Sequence, residues 1–507
     1  MKKIISNFLV FLFLAHISSA QNSIVVNTDS AGQTISKHIY GHFAEHLGHN
    51  IYGGFYVGDT SKIPNTNGVR NDIIEALRKL KIPNLRWPGG CFADRYHWKD
   101  GVGPKNKRPS IVNTIWGGVT EDNSFGTNEF LNMCGLLGAE PYLAGNTGSG
   151  TVQELADWVQ YVNFPAKSPM SDLRTQNGRT KPWQVKFWGV GNEAWGCGGS
   201  MTPEYYVNEY RKYATFMGDG IFRVASGANV DDYHWTETLM KGVPLNMLEG
   251  LALHHYSFPG WTKKGPATHF SERQYFETMK TALYMNELVT KHSAIMDKYD
   301  PKKKVALVVD EWGGWYEVEP GTNPGFLYQQ NTMRDAMIAG VTLNIFNNHS
   351  DRVRVANLAQ CINVLQAVIL TDKEKMLLTP TYHVMEMYNV HQDAALIPLK
   401  TVSNDFIFEG EKLPAISASC SKDSLGRIHL SFVNIDDKKS QDIAVDLKAI
   451  QFKTITGRIL TSGKIDDHNT FEQPGKIKPA EFKGTIIKGN TLHVKLPPFS
   501  VVVLELK

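Results

Sequence analysis

Cysteine is scarce: the 507 residues hold five, Cys91, Cys134, Cys197, Cys361 and Cys420. Their odd number and wide spacing include no metal-type pair and make a disulfide framework improbable, with at least one thiol left unpaired. An excess of either charge is also missing, since 53 Lys and Arg against 50 Asp and Glu give a net +3. No basic stripe offers a nucleic-acid surface, and the substrate is expected to be uncharged. Internal repeats and low-complexity linkers are absent, and after residue 20 nothing suggests membrane insertion. Met1 to Ala20 itself, with Lys2 and Lys3, the apolar Phe8 to Leu14 and small Ser18 and Ala20, reads as a cleavable secretory leader. The mature chain is then expected to begin at Gln21 and to be exported, to the periplasm or the exterior.

What is present is an alternation of apolar runs and helical patterns. In Val185-Lys-Phe-Trp-Gly-Val-Gly-Asn-Glu193 an apolar run stops at the polar pair Asn192-Glu193. Buried parallel strands read this way, and polar residues at their C-terminal ends face the mouth of an α/β barrel. Lys304 to Glu311 closes on a carboxylate in the same manner. Six further segments read as strands: His38 to Gly48, Ile82 to Gly90, Glu140 to Asn146, Phe222 to Ala228, Leu248 to Tyr256 and Val341 to Phe346. Helical patterns separate them. Asp72 to Lys81 spaces Ile73, Ile74, Leu77 and Leu80 on one face, Thr151-Val-Gln-Glu154 is a capping box, and Thr202-Pro203 starts a Tyr-rich helix. The fold class expected is α/β, a (β/α)8 TIM barrel.

After Gln392 helical periodicity gives way to short β-rich runs such as Ile428 to Val433 and Leu492 to Leu496. The chain therefore divides into a leader (1–20), a catalytic barrel (21–390) and a C-terminal antiparallel β-sandwich (391–507), with residues 21–34 as a strand that could join the sandwich.

Two glutamates at two strand ends match the needs of glycosidic-bond hydrolysis, one carboxyl to protonate the leaving oxygen and one to attack or to activate water. Trp188, Trp312 and Trp315 nearby suit the faces of sugars. An oxidoreductase is the rival from another class, because Gly189-Val-Gly191 loosely resembles a dinucleotide fingerprint. That fingerprint must open a helix directly after its strand, and here Trp195 to Gly199 intervenes. A non-catalytic carbohydrate-binding protein would not need paired strand-end glutamates.

The longer motifs Glu45-His-Leu-Gly, Leu85-Arg-Trp-Pro-Gly-Gly, Trp116-Gly-Gly, Asn123-Ser-Phe-Gly-Thr, Trp188-Gly-Val-Gly-Asn-Glu, Leu253-His-His-Tyr and Asp310-Glu-Trp-Gly, with Asn347 to Gln360, run in one order along the chain. In this the chain resembles glycoside hydrolase family 51, the retaining α-L-arabinofuranosidases. The resemblance implies an exo-acting enzyme that removes terminal arabinofuranosyl groups from poly- or oligosaccharides, without a cofactor or metal, in a family that often forms homo-oligomers. A β-xylosidase or endoglucanase of the same barrel type is the alternative. By the same resemblance Glu193 is the acid/base and Glu311 the nucleophile. Glu45, Asn192 and Gln360 would bond the sugar hydroxyls, Tyr256 would pack beside the nucleophile, and His254 would belong to the site. Arg86 matches the family's arginine, and its guanidinium is expected to hold Glu311 through bidentate hydrogen bonds, unless it forms a structural salt bridge elsewhere in the mouth. Cys91 either lines the pocket or is a buried inert thiol. His254 and His255 are adjacent on one strand and point to opposite faces, so they do not form a metal pair.

Overall fold

The computed structural model describes residues 22–27, 32–447, 452–489 and 491–507; the leader-like segment lies outside them. The first strand, β1 (Asn22–Val26), stands apart from the barrel. Eight strands then close the barrel: β2 (Gly41–Phe43), β3 (Asn84–Trp87), β4 (Glu140–Gly145), β5 (Phe187–Val190), β6 (Phe222–Asn229), β7 (Gly250–Ser257), β8 (Ala306–Gly314) and β9 (Val353–Leu358). Each pairs in parallel with its neighbours, β9 returning to β2 through Asn357 opposite Gly41. Tyr142, Phe187, Val224, Ala252, Val308 and Val355, one from each of six strands, pack together and fill the interior. All eight strands therefore end at one face, where their polar residues converge.

The intervening helices start where the caps indicate. Thr151 Oγ1 accepts the Glu154 amide at 3.1 Å, and Thr202 accepts that of Tyr205 ahead of Pro203–Phe216. The helix Asn71–Leu80 buries Ile73, Ile74, Leu77 and Leu80 and ends on Lys81 in the left-handed region.

One expected strand is corrected. Val341 to Phe346 lies inside the helix Met333–Asn348, and the eighth barrel strand is β9. Every residue of that helix from Met333 to Asn347 is buried, because it is enclosed between the barrel and the C-terminal domain. Asn344 and Asn347 reach Ser417 and Ser419 across that junction. Enclosure on all sides erases the polar stripe by which a helix is recognised and leaves an apolar, partly β-branched run that imitates a strand. The capping box Thr332 to Asp335 is the local signal from which the helix could have been read.

The C-terminal domain is two sheets. One of five strands takes β1 between Leu399–Val402 and Gln441–Asp446, antiparallel to the first and parallel to the second. The other, of six strands, centres on Ile428–Asn434 and Ser500–Leu506, paired antiparallel. Ile24, Val26, Leu430, Phe432, Val445, Val494 and Leu504 form the core between them. Among the described residues no helix is long and apolar enough to cross a membrane.

Candidate active site

Glu311 is the sixth residue of β8, buried at the barrel mouth. Its Oε1 accepts Arg86 Nη1 at 2.9 Å and its Oε2 accepts the Tyr256 hydroxyl at 2.8 Å. Arg86 does not grip Glu311 with both arms as expected. Nη2 donates instead to Asn192 Oδ1 at 2.5 Å, and Nε lies 3.5 Å from Asp310 Oδ2. One guanidinium thus joins the ends of β3, β5 and β8, with the Phe43 ring 4.6 Å beneath it. Burial would weaken its charge, but Asp310 and Glu311 more than offset this.

Glu193 follows β5 at φ 40°, a conformation that costs a non-glycine residue about 1 kcal/mol or more and that surrounding structure must impose. The amides of Gly196 and Gly198 do so by donating to its carbonyl at 2.7 and 3.1 Å. On its other side the Asn192 amide donates to Asp94 Oδ2 at 2.9 Å. The Glu193 carboxyl receives His254 Nδ1 at 2.9 Å. Burial and the negative charge of Glu311 raise its pKa, against the opposing pull of His254 and Arg86. A carboxylate oxygen of each glutamate and a ring nitrogen of His254 lie within 4.8 Å of one another. That spacing would admit a cation, yet direct hydrogen bonds and ion pairs already account for it.

His254 also meets Asp310 Oδ1 through Nε2 at 3.2 Å. Burial disfavours its charged form, but Glu311, Asp310 and Glu193 together prevail and raise its pKa to about 10. The imidazolium is thereby the charge that separates two carboxylates. His255 turns the other way, to the Thr281 carbonyl at 2.8 Å.

Glu45 lies just past β2. Its Oε1 accepts the amides of Gly90 and Phe92 and the Trp116 indole, and its Oε2 accepts Gln360 Nε2 at 2.9 Å. Gln360 is fixed in turn by Asn50 at 2.7 Å. Burial and the charge of Glu311 push the Glu45 pKa up to about 7, although the donors around it favour the anion. The Pro-Gly-Gly turn explains itself here: a Cβ on Gly89 would stand 2.7 Å from Glu45 Cγ, and one on Gly90 2.7 Å from Glu311 Oε1.

Cys91 lines the pocket beside Glu193 and Glu311, the first of the two readings, but not as a free thiol. It is bonded to Cys197, 106 residues away, and both sulfurs face Glu193 Oε2, at 3.8 and 3.4 Å. Disulfide sulfurs have no hydrogen to donate, so these are packing contacts that fix the carboxyl from behind. Cys134, Cys361 and Cys420 are free and buried.

The nine candidate catalytic and binding residues thus stand at one mouth, but of the three tryptophans expected to face sugar only Trp315 does so, Trp188 and Trp312 being fully buried against Trp158 and Phe346. Sequence reasoning missed Cys197, Asp310 and Asp94. Asp94 accepts the amides of Thr147, Gly148 and Asn192 and so ties β4 to β5. Its position four residues after the Pro-Gly-Gly turn was its signal. Gly189-Val-Gly191 opens no helix, the next one beginning at Pro203, which removes the basis of the dinucleotide reading.

Two cavities meet at Glu193, Tyr256 and Trp315. A narrow one of about 40 Å³ ends on Glu45, Gln360 and Glu311. A wider one of about 400 Å³ extends past Trp195, Phe258 and Trp261.

Family models match on both sides of this site: the α-L-arabinofuranosidase 1 domain over residues 76–260 and the α-L-arabinofuranosidase C-terminal domain over residues 310–500. The chain belongs to glycoside hydrolase family 51, the α-L-arabinofuranosidases. A relative from Bacteroides ovatus, an intracellular exo-α-L-arabinofuranosidase, is 51% identical over 98% of both chains. The family 51 arabinofuranosidase from Xanthomonas axonopodis pv. citri superposes with a TM-score of 0.94 at 47% identity, over 96% of this chain and 100% of that one. The α-L-arabinofuranosidase from Thermotoga maritima, in its arabinose complex, gives 0.85 at 30% identity, over 96% of this chain and 99% of that one. Export is corrected by the first of these: a relative matched along its full length is intracellular, which points against the secreted fate expected from Met1 to Ala20.

Proposed function

We propose that this arabinofuranosidase removes terminal non-reducing α-L-arabinofuranosyl groups from arabinose-containing poly- or oligosaccharides with net retention. Glu311 is the nucleophile and Glu193 the acid/base. The observation that carries this reading is the pairing of two close carboxyls in different surroundings. Their nearest approach, within 4.8 Å, suits the about 5 to 5.5 Å of a retaining pair better than the about 6.5 to 9.5 Å that an inverting enzyme needs for its interposed water.

Arg86 and Tyr256 each occupy one oxygen of Glu311. They hold it as an aimed anion. Glu193, whose pKa is raised by burial and by Glu311, carries the proton that the leaving oxygen takes as the glycosidic bond breaks and the Glu311 ester forms. Once Glu311 is esterified its negative charge is gone, which lowers the cost of ionising Glu193. Glu193 then takes a proton from water, whose oxygen displaces Glu311 from the anomeric carbon. Glu45, Asn192 and Gln360 bond the sugar hydroxyls. The cul-de-sac at Glu45 and Gln360 favours a chain end, and Glu193, shared by both cavities, stands where the leaving group departs. The residues described complete this sequence without a cofactor.

The test is leaving-group dependence. Glu193→Ala should hardly slow formation of the intermediate from 2,4-dinitrophenyl arabinofuranoside, whose leaving group needs no proton, and should cripple cleavage of natural linkages. Glu311→Ala should lose both. Equal losses in Glu193→Ala whatever the leaving group, or an inverted first anomer by NMR, overturn the assignment.

A further inference from the structure

Beside the wider cavity on the Glu193 side, over one of its lining rings, stands a group that the chemistry above does not use. Trp315 lines both cavities. Above its ring, 3.6 Å from the centroid, stands the ammonium of Lys264, which is also 5.4 Å from the Trp261 ring. Trp261 is 62% exposed and meets Trp315 and Phe258 edge to face, at 6.0 and 4.7 Å. A saccharide bonded to arabinose through the oxygen next to Glu193 has to enter this cavity, where it meets aromatic rings that suit its apolar faces.

Lys264 is half-buried, so part of its hydration is lost, and among the described residues no carboxylate lies within ion-pair distance of it. Lys99, Lys105 and Lys280 do have such partners. Its burial lowers its pKa, as expected for an ammonium offered only π-faces. The acids nearest the cavity are engaged elsewhere, Glu193 with His254 and Asp231 with the Tyr284 hydroxyl. An unpartnered cation over the ring that separates glycone from leaving group is a recognition element for an anion on the leaving group.

We propose that Lys264 makes this cavity selective for an acidic leaving group, a hexuronosyl residue whose ring lies along Trp261 and Trp315 while its carboxylate pairs with the ammonium. The inference rests on the reading of Glu193 as the acid that faces the leaving group. It refines the expectation of an uncharged substrate: the arabinosyl group is neutral, and the charge sits one sugar away.

The test compares kcat/KM for two synthetic disaccharides of identical linkage, α-L-arabinofuranosyl methyl galactopyranoside and its methyl galactopyranosiduronate counterpart. The wild type should favour the uronate by about fivefold, the size of a partly desolvated ion pair, and the preference should shrink in 0.5 M NaCl. Lys264→Met should bring the ratio to about one, and Lys264→Arg should keep it above one. A wild-type ratio at or below one, or one unchanged in Lys264→Met, overturns the proposal. Because each comparison is a ratio within one protein, a variant of lower stability still gives an answer. Wild-type turnover of 4-nitrophenyl arabinofuranoside separates the cases: without it the reading of the enzyme fails, and with it only the role of Lys264 is at stake.

Discussion

Adding one methyl group at Gly90 tests how closely the site is aimed. Gly90 is not among the residues with positive φ, so alanine can adopt its backbone and the amide that donates to Glu45 is retained. The new Cβ would lie 2.7 Å from Glu311 Oε1 and 3.4 Å from Asn192 Nδ2. The second is an ordinary contact. The first is about 0.7 Å too short, and the oxygen concerned is the one held at 2.9 Å by Arg86. Since that oxygen ends a side chain, it can yield without unfolding the protein, and the whole cost falls on the position of the attacking group. A displacement of about 1 Å costs about 100-fold in rate, so Gly90→Ala should lose about 10- to 100-fold in kcat, roughly 1.4 to 2.7 kcal/mol of barrier. Thermal stability should hold or rise slightly, because the unfolded chain loses freedom. Stopped-flow and steady-state rates on 2,4-dinitrophenyl arabinofuranoside, with a calorimetric scan of the same samples, provide both numbers. A kcat within twofold of the wild type would show that Glu311 tolerates displacement, and a collapse in Tm that the turn itself is the sensitive part.

Other expectations follow from the charges and the crosslink. Glu45 binds its proton more tightly folded, at about 7, than unfolded, near 4.5; its contribution to stability is therefore lost as pH rises through that window, and Glu45→Gln should flatten the urea-stability profile there by up to roughly 3 kcal/mol. An unchanged slope would refute it. Asp310→Asn removes one of the three carboxyl groups that raise His254, so the ring should titrate lower by about 1 or more in an NMR titration, and an unmoved signal would count against the assigned cause. Replacing Cys91 and Cys197 together by Ser opens a loop closed across 106 residues; denaturation should show a loss of at most about 5 kcal/mol, and the wild type in reductant should shift the same way. Identical curves with and without reductant would mean that the bond does not stabilise the fold.

Sequence alone settled what depends on local order. Apolar runs that end in polar residues mark parallel strands because both faces of such a strand are buried and only its end meets solvent. That placed Glu193 and Glu311 at strand ends, and Thr151 and Thr202 fixed their helices because a cap bonds within one turn. What depends on enclosure or on meeting across the fold was decided only by the tertiary structure. The helix Met333–Asn348 has no exposed stripe, since the C-terminal domain covers the side a helix normally shows to water. The division of Arg86 among Glu311, Asn192 and Asp310 depends on three strand ends set by barrel closure. The Cys91–Cys197 bond pairs loops that no periodicity relates. Lys264 reads in sequence as one more surface charge, and its place over Trp315 exists only because β7 and β8 lie side by side and bring their loops to the same mouth.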